Sequence, residues 1–81
     1  MDIQESSRRI ETHLNQILED KGWDFVAFNS EMKLLGTELP IDSLDLAVLL
    51  TLMQRDTGKD PFKDGFRNFQ TIGELARLYA E

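Results

Sequence analysis

The 81 residues, 41% apolar and 30% charged, fit one folded domain spanning residues 1–81, too small to enclose a deep catalytic cleft. With 15 acidic and 9 basic residues the net charge is −6, which argues against a nucleic-acid partner because no basic patch could release counterions from a phosphate backbone. There is no cysteine, so the chain forms no disulfide and supplies neither a thiol nucleophile nor a thiolate metal ligand.

The opening residues MDIQESSRRIE are charged and amphipathic where a secretory signal needs an apolar run. No stretch approaches the length of a membrane span, and a cytoplasmic protein without membrane contact is expected. Apolar residues at Ile3, Ile10, Leu14, Ile17 and Leu18 fall on one helical face and predict a first helix from about Ile3 to Lys21. Ser6 and Ser7 are its candidate N-caps, and Gly22 suits its C-terminal stop.

From Gly22 to Ile41 no period is sustained, which predicts a long loop held down by Trp23, Phe25 and Phe28. Within it, Ser30 to Gly36 could wind one or two helical turns, with Ser30 as cap and Gly36 as terminator, before Pro40 blocks continuation.

Asp42 or Ser43 then opens a second, unusually apolar helix ending near Asp56, ahead of Thr57, Gly58 and Pro61. Helical spacing assigns Leu46, Leu49, Leu50 and Met53 to the core. Leu44, Val48 and Leu52 form a second stripe, which packs on another helix or meets a partner. Residues 58–68 read as a second loop with a short helical turn over buried Phe62 and Phe66. Thr71 with Glu74 matches a capping box, and Ile72, Leu75, Ala76, Leu78 and Tyr79 give the last helix its apolar face.

His13 is the only histidine and has no second one beside it to hold a metal, so it reads as an ordinary helix residue, and no metal site is expected. Glu19 and Asp20 read as a solvated helix end, not an acid and base couple, and no catalytic residue is assigned. By themselves Asp42 and Ser43 are residues that helix starts commonly use.

The run Asp42-Ser43-Leu44-Asp45 at the head of an apolar helix, together with the TIGELARLYAE ending, resembles the acyl carrier protein family over the whole chain. The resemblance implies an all-α bundle of three main helices plus a short helical turn in the second loop and a long first loop. It implies a 4′-phosphopantetheine arm, drawn from coenzyme A, on Ser43, with Asp42 and Asp45 attracting the basic surface of a phosphopantetheinyl transferase. Leu44, extended by Ala47 and Val48, corresponds to the apolar patch that family members press against partners. Acyl-transferring, condensing or ligase enzymes are the implied partners of a monomeric carrier in fatty acid or related lipid metabolism. Such a chain is not an enzyme: it would hold acyl groups as thioesters and do no chemistry itself.

Three features depart from the family. Val48, Gln54 and Arg55 stand where carboxylates are common, and residues 42–81 carry 7 acidic against 5 basic groups. Thr37-Glu38-Leu39-Pro40-Ile41 replaces the glycine that often precedes the motif. Gly58, Lys59, Lys63 and Arg67 give the second loop positive charge. These departures predict a specialised carrier in a secondary lipid or polyketide-like pathway; elongation by a standard fatty acid synthase set as efficient as that of an ordinary carrier would refute it. An aminoacyl or peptidyl carrier domain shares the fold and arm. From another class, an unmodified helical adaptor would bind a protein through the Leu44 stripe.

Overall fold

A computed structural model describes residues 1–36 and 39–81 of the chain. Helix α1 spans Ile3–Asp20 and is capped by Asp2, whose carboxylate accepts from the Glu5 amide at 2.8 Å. Ser6 and Ser7 therefore do not cap. Asp2 is as good a cap and lies upstream, while Ser6 is buried within the helix and donates its hydroxyl to the Ala76 carbonyl at 2.7 Å.

The end of α1 closes as predicted around Gly22, which takes a left-handed φ of 89°. The amides of Gly22 and Trp23 return to the Glu19 and Leu18 carbonyls, both at 2.9 Å, the paired bonds of a Schellman closure.

The first loop is tied down by only one of the three expected rings. Phe28 is half-buried against the core, whereas Trp23 and Phe25 are exposed, at 53% and 81%. The rest of the hold comes from Asn15, whose side-chain amide pairs with the Val26 backbone through bonds of 2.9 and 3.2 Å, and from buried Leu34, Leu39 and Ile41. No helical turn forms over the described residues between Ser30 and Gly36. Their backbone groups are engaged by the start of the last helix instead: Leu34 donates to the Gln70 carbonyl (2.8 Å), Ile72 to that of Met32 (3.0 Å) and Gly73 to that of Ser30 (2.9 Å). Lys33 and Thr71 form an isolated antiparallel bridge there.

Helix α2 runs Ser43–Thr57 and ends at Gly58, whose φ of 72° and bond to the Gln54 carbonyl terminate it one residue beyond Asp56. Leu49 and Met53 are fully buried, whereas Leu46 and Leu50, also read as core, are half-buried at its edge. The second loop makes hydrogen-bonded turns between Asp60 and Gly65 and no helix. Its phenylalanines cluster, with Phe62 5.7 Å from Phe69 and 6.0 Å from Phe66 between ring centroids. Phe66 is nonetheless 78% exposed, which corrects its reading as buried: a loop of turns this short has no surface to lay over a third ring.

Helix α3, Ile72–Ala80, starts with the predicted capping box, Thr71 accepting from the Glu74 amide and Glu74 from the Thr71 amide, both at 3.1 Å. Two backbone amides, those of Gln70 and Thr71, hold the Glu74 carboxyl below its ordinary range. Helix α1 packs against both others, and side chains of all three meet in one core centred on Ile10, Leu14, Leu49, Met53, Leu75 and Tyr79. The architecture is all-α, three helices with no strand among the described residues. None of these helices is long and apolar enough to cross a membrane.

Candidate functional site

The start of α2 is built by a reciprocal pair of aspartates. Asp42 is the cap and accepts from the Asp45 amide at 2.9 Å, while the Asp45 carboxylate accepts from the Asp42 amide at 3.2 Å. This arrangement leaves Ser43, the first residue of the helix, with no capping duty. Ser43 is exposed, and its hydroxyl has no hydrogen-bond partner among the described residues.

The backbone amides of Ser43 and Leu44 are likewise unpartnered among those residues. An anionic group attached to Ser43 would therefore meet free N–H donors and the positive end of the helix dipole. On these grounds the site fits a phosphodiester on the serine oxygen. The same carboxylates that build the cap oppose it in part.

Asp45 is not an open acidic residue. The Lys21 ammonium, just past the end of α1, donates to its carboxylate at 2.6 Å and to the Pro40 carbonyl at 2.8 Å. That bond first, and the Asp42 amide second, hold the Asp45 carboxyl below the usual aspartate range. Asp42, by contrast, is exposed. In the run preceding the site, Thr37 and Glu38 lie outside the described residues; Leu39 and Ile41 are buried and Pro40 is half-buried.

Around α2 the side chains sort by helical spacing into four strips. Asp45, Leu52 and Asp56 form one, with its carboxylates held by Lys21 and by Arg9 of α1; Leu49 and Met53 face the core. Leu46 and Leu50, three and seven residues after Ser43, line a recess of about 420 Å³ together with Leu34, Leu35, Phe66 and Phe69 and the polar residues Lys33 and Gln70. The last strip, Leu44, Ala47, Val48 and Thr51, faces solvent, with Leu44 at 73% and Val48 at 43% exposure. The predicted Leu44, Val48, Leu52 stripe thus divides, because Leu52 packs against the core.

Two polar links were not foreseen from spacing. Besides Lys21 with Asp45, the far end of α2 is held to α1 through Asp56, which accepts from Arg9 at 2.7 Å and lies 3.0 Å from His13 Nε2. His13 is accordingly half-buried in this contact. Glu19 and Asp20 are exposed, as read. Much of the positive charge of the second loop is also paired: Arg67 forks onto Glu81 at 2.6 and 2.7 Å, and Lys59 donates to the Tyr79 and Glu81 carbonyls.

No family model, curated protein or solved structure matches the chain.

Proposed function

We propose that the chain is an acyl carrier whose Ser43 bears a 4′-phosphopantetheine arm and which delivers thioester-bound acyl groups to partner enzymes. The observation that carries this reading is the exposed hydroxyl of Ser43, without a hydrogen-bond partner among the described residues, inside the Asp42-Ser43-Leu44-Asp45 run in which Asp42 is the cap. When attached, the arm supplies the thiol that the cysteine-free chain lacks. In its attachment the Ser43 oxygen bonds to the phosphorus of coenzyme A that bears the pantetheine, adenosine 3′,5′-bisphosphate leaves, and the hydroxyl proton passes to a base of the transferase.

The chain's own residues then serve as a mount. The cap fixes the first turn, the amides of Ser43 and Leu44 would be available to hold the phosphodiester, and the exposed Leu44, Ala47 and Val48 offer a small apolar contact to each visited enzyme. A contact this small gives brief encounters, which suits a shuttle, and tethering keeps the cargo concentrated at each active site.

The test is incubation with coenzyme A and a broad-specificity phosphopantetheinyl transferase, followed by intact-mass measurement. The wild-type chain gains the mass of one arm and Ser43→Ala gains none. A wild-type chain that stays unmodified would leave the exposed Leu44 and Val48 as the contact of a protein-binding adaptor.

A further inference from the structure

Within α2 the acidic residues are Asp45 and Asp56, and each is engaged by a cation: Asp45 by Lys21, the residue that caps the end of α1, at 2.6 Å, and Asp56 by Arg9 of α1 at 2.7 Å. Leu44 just before Asp45, and the exposed residues between the two aspartates, Ala47, Val48, Thr51, Gln54 and Arg55, carry no negative charge. A helix that would meet partners beside Ser43 therefore presents an apolar ridge with its carboxylates turned toward α1.

Lys21 holds the position closest to the site. Its second bond, to the Pro40 carbonyl at 2.8 Å, fixes the ammonium against the segment that enters α2, so the pair with Asp45 is one arm of a two-point clamp. A lysine free in solvent would lose more entropy in holding a single partner.

We propose that Lys21 is a specificity-determining residue of this carrier: by engaging Asp45 it halves the open carboxylate charge flanking Ser43, leaving exposed Asp42, so that partner choice rests more on an apolar socket for Leu44 and Val48 than on a basic patch. The inference rests on the carrier reading. Lys21 acts through Asp45 and is a positioning residue, with no contact to the reacting atoms.

The experiment uses the full chain, coenzyme A and a phosphopantetheinyl transferase whose carrier-binding surface is basic, with kcat and KM measured from low to high sodium chloride. Lys21→Gln unmasks Asp45. Its KM at low salt falls about two- to fivefold, the range one exposed charge commands, with kcat unchanged and the gain gone at high salt. Lys21→Arg retains the masking charge and behaves as wild type. An equal KM for Lys21→Gln and wild type across the salt range, or a gain that persists at high salt, overturns the proposal.

A direct readout separates this from the carrier reading. Titration of the Asp45 carboxyl followed by carbon NMR shifts upward in Lys21→Gln if the clamp exists in solution, and an unmoved titration overturns the masking even where Ser43 is modified normally. Failure of both proteins to accept an arm, with the titration shifted, instead removes the carrier reading and this selectivity with it.

Discussion

Replacing Gly73 by alanine sets two effects of opposite sign against each other. Alanine is the better helix former by about 1 kcal/mol in a helix interior, and Gly73 is the second residue of α3 with ordinary helical backbone. Packing opposes the gain, because a Cβ there would stand 2.9 Å from the Ser30 Cβ and 3.0 Å from the Ser30 carbonyl oxygen. The neighbour is loop backbone already fixed by the Gly73 amide bond to that same carbonyl at 2.9 Å, so it cannot swing away as a long side chain would. Overpacking of this kind costs about 1–3 kcal/mol, and near a helix start the propensity gain is only partly realised. The net loss is then about 1 kcal/mol or more, which lowers the melting temperature of a domain this size by about 4–8 °C per kcal/mol. Thermal unfolding by circular dichroism measures it. Combining Gly73→Ala with Ser30→Gly removes the Cβ contact but not the carbonyl one, so the penalty shrinks, with a coupling of about 0.5 kcal/mol or more in the double-mutant cycle. A Gly73→Ala protein that melts at or above the wild-type temperature refutes the packing analysis.

Burial pushes the Tyr79 phenol up to about 12, with Asp60 adding to it. The folded state favours the neutral phenol, so this stabilising contribution is complete below the unfolded value of 10.0 and is lost as pH rises from there to about 12. Urea midpoints across that range should fall for the wild type and less for Tyr79→Phe; parallel falls would exclude Tyr79 as the cause. On the proposed carrier reading, an acyl chain loaded on a Ser43 arm and lodged in the recess lined by Leu46, Leu50 and Phe69 should move the amide resonances of those residues relative to the free thiol form, whereas shifts confined to Ser43 and Leu44 would put the cargo in solvent.

The parts of the fold legible in the sequence are those whose partners lie within one helical turn. Thr71 with Glu74 and the stop at Gly22 follow from local hydrogen bonds, and the order of three helices follows from apolar spacing. The role of Ser6 is not legible locally, because its partner, Ala76, is 70 residues away and nothing in the spacing of a serine tells a cap from a bridge between helices. The loop around Ser30 differs from its local signal for a related reason: its sequence favours a turn of helix, but its donors and acceptors pair with the start of α3. Phe66 shows the converse error, since an aromatic residue in a loop is assigned to the interior on composition alone. At the candidate site, helical spacing puts Leu44 and Val48 on one exposed stripe, but it also puts Leu52 there, which packs against the core. The engagement of Asp45 by Lys21, 24 residues distant, could not be read from the sequence, because the pair exists only once α1 and α2 lie side by side.

That division bears on how such a site tolerates modification. Had Ser43 been the cap, esterification would remove a hydrogen bond from the first turn and the helix start would weaken by about 1 kcal/mol on each attachment. Here Asp42 caps and Asp45 closes the reciprocal bond, with Lys21 pinning Asp45 from the neighbouring helix. The first turn is therefore complete before Ser43 contributes anything, and a group added to its oxygen, as the carrier proposal requires, would project from a rigid mount without drawing on the bonds that hold the helix. The scaffold would stay unchanged beneath it, because the stability of the start of α2 is carried by Asp42 and Asp45 and not by the adjacent Ser43.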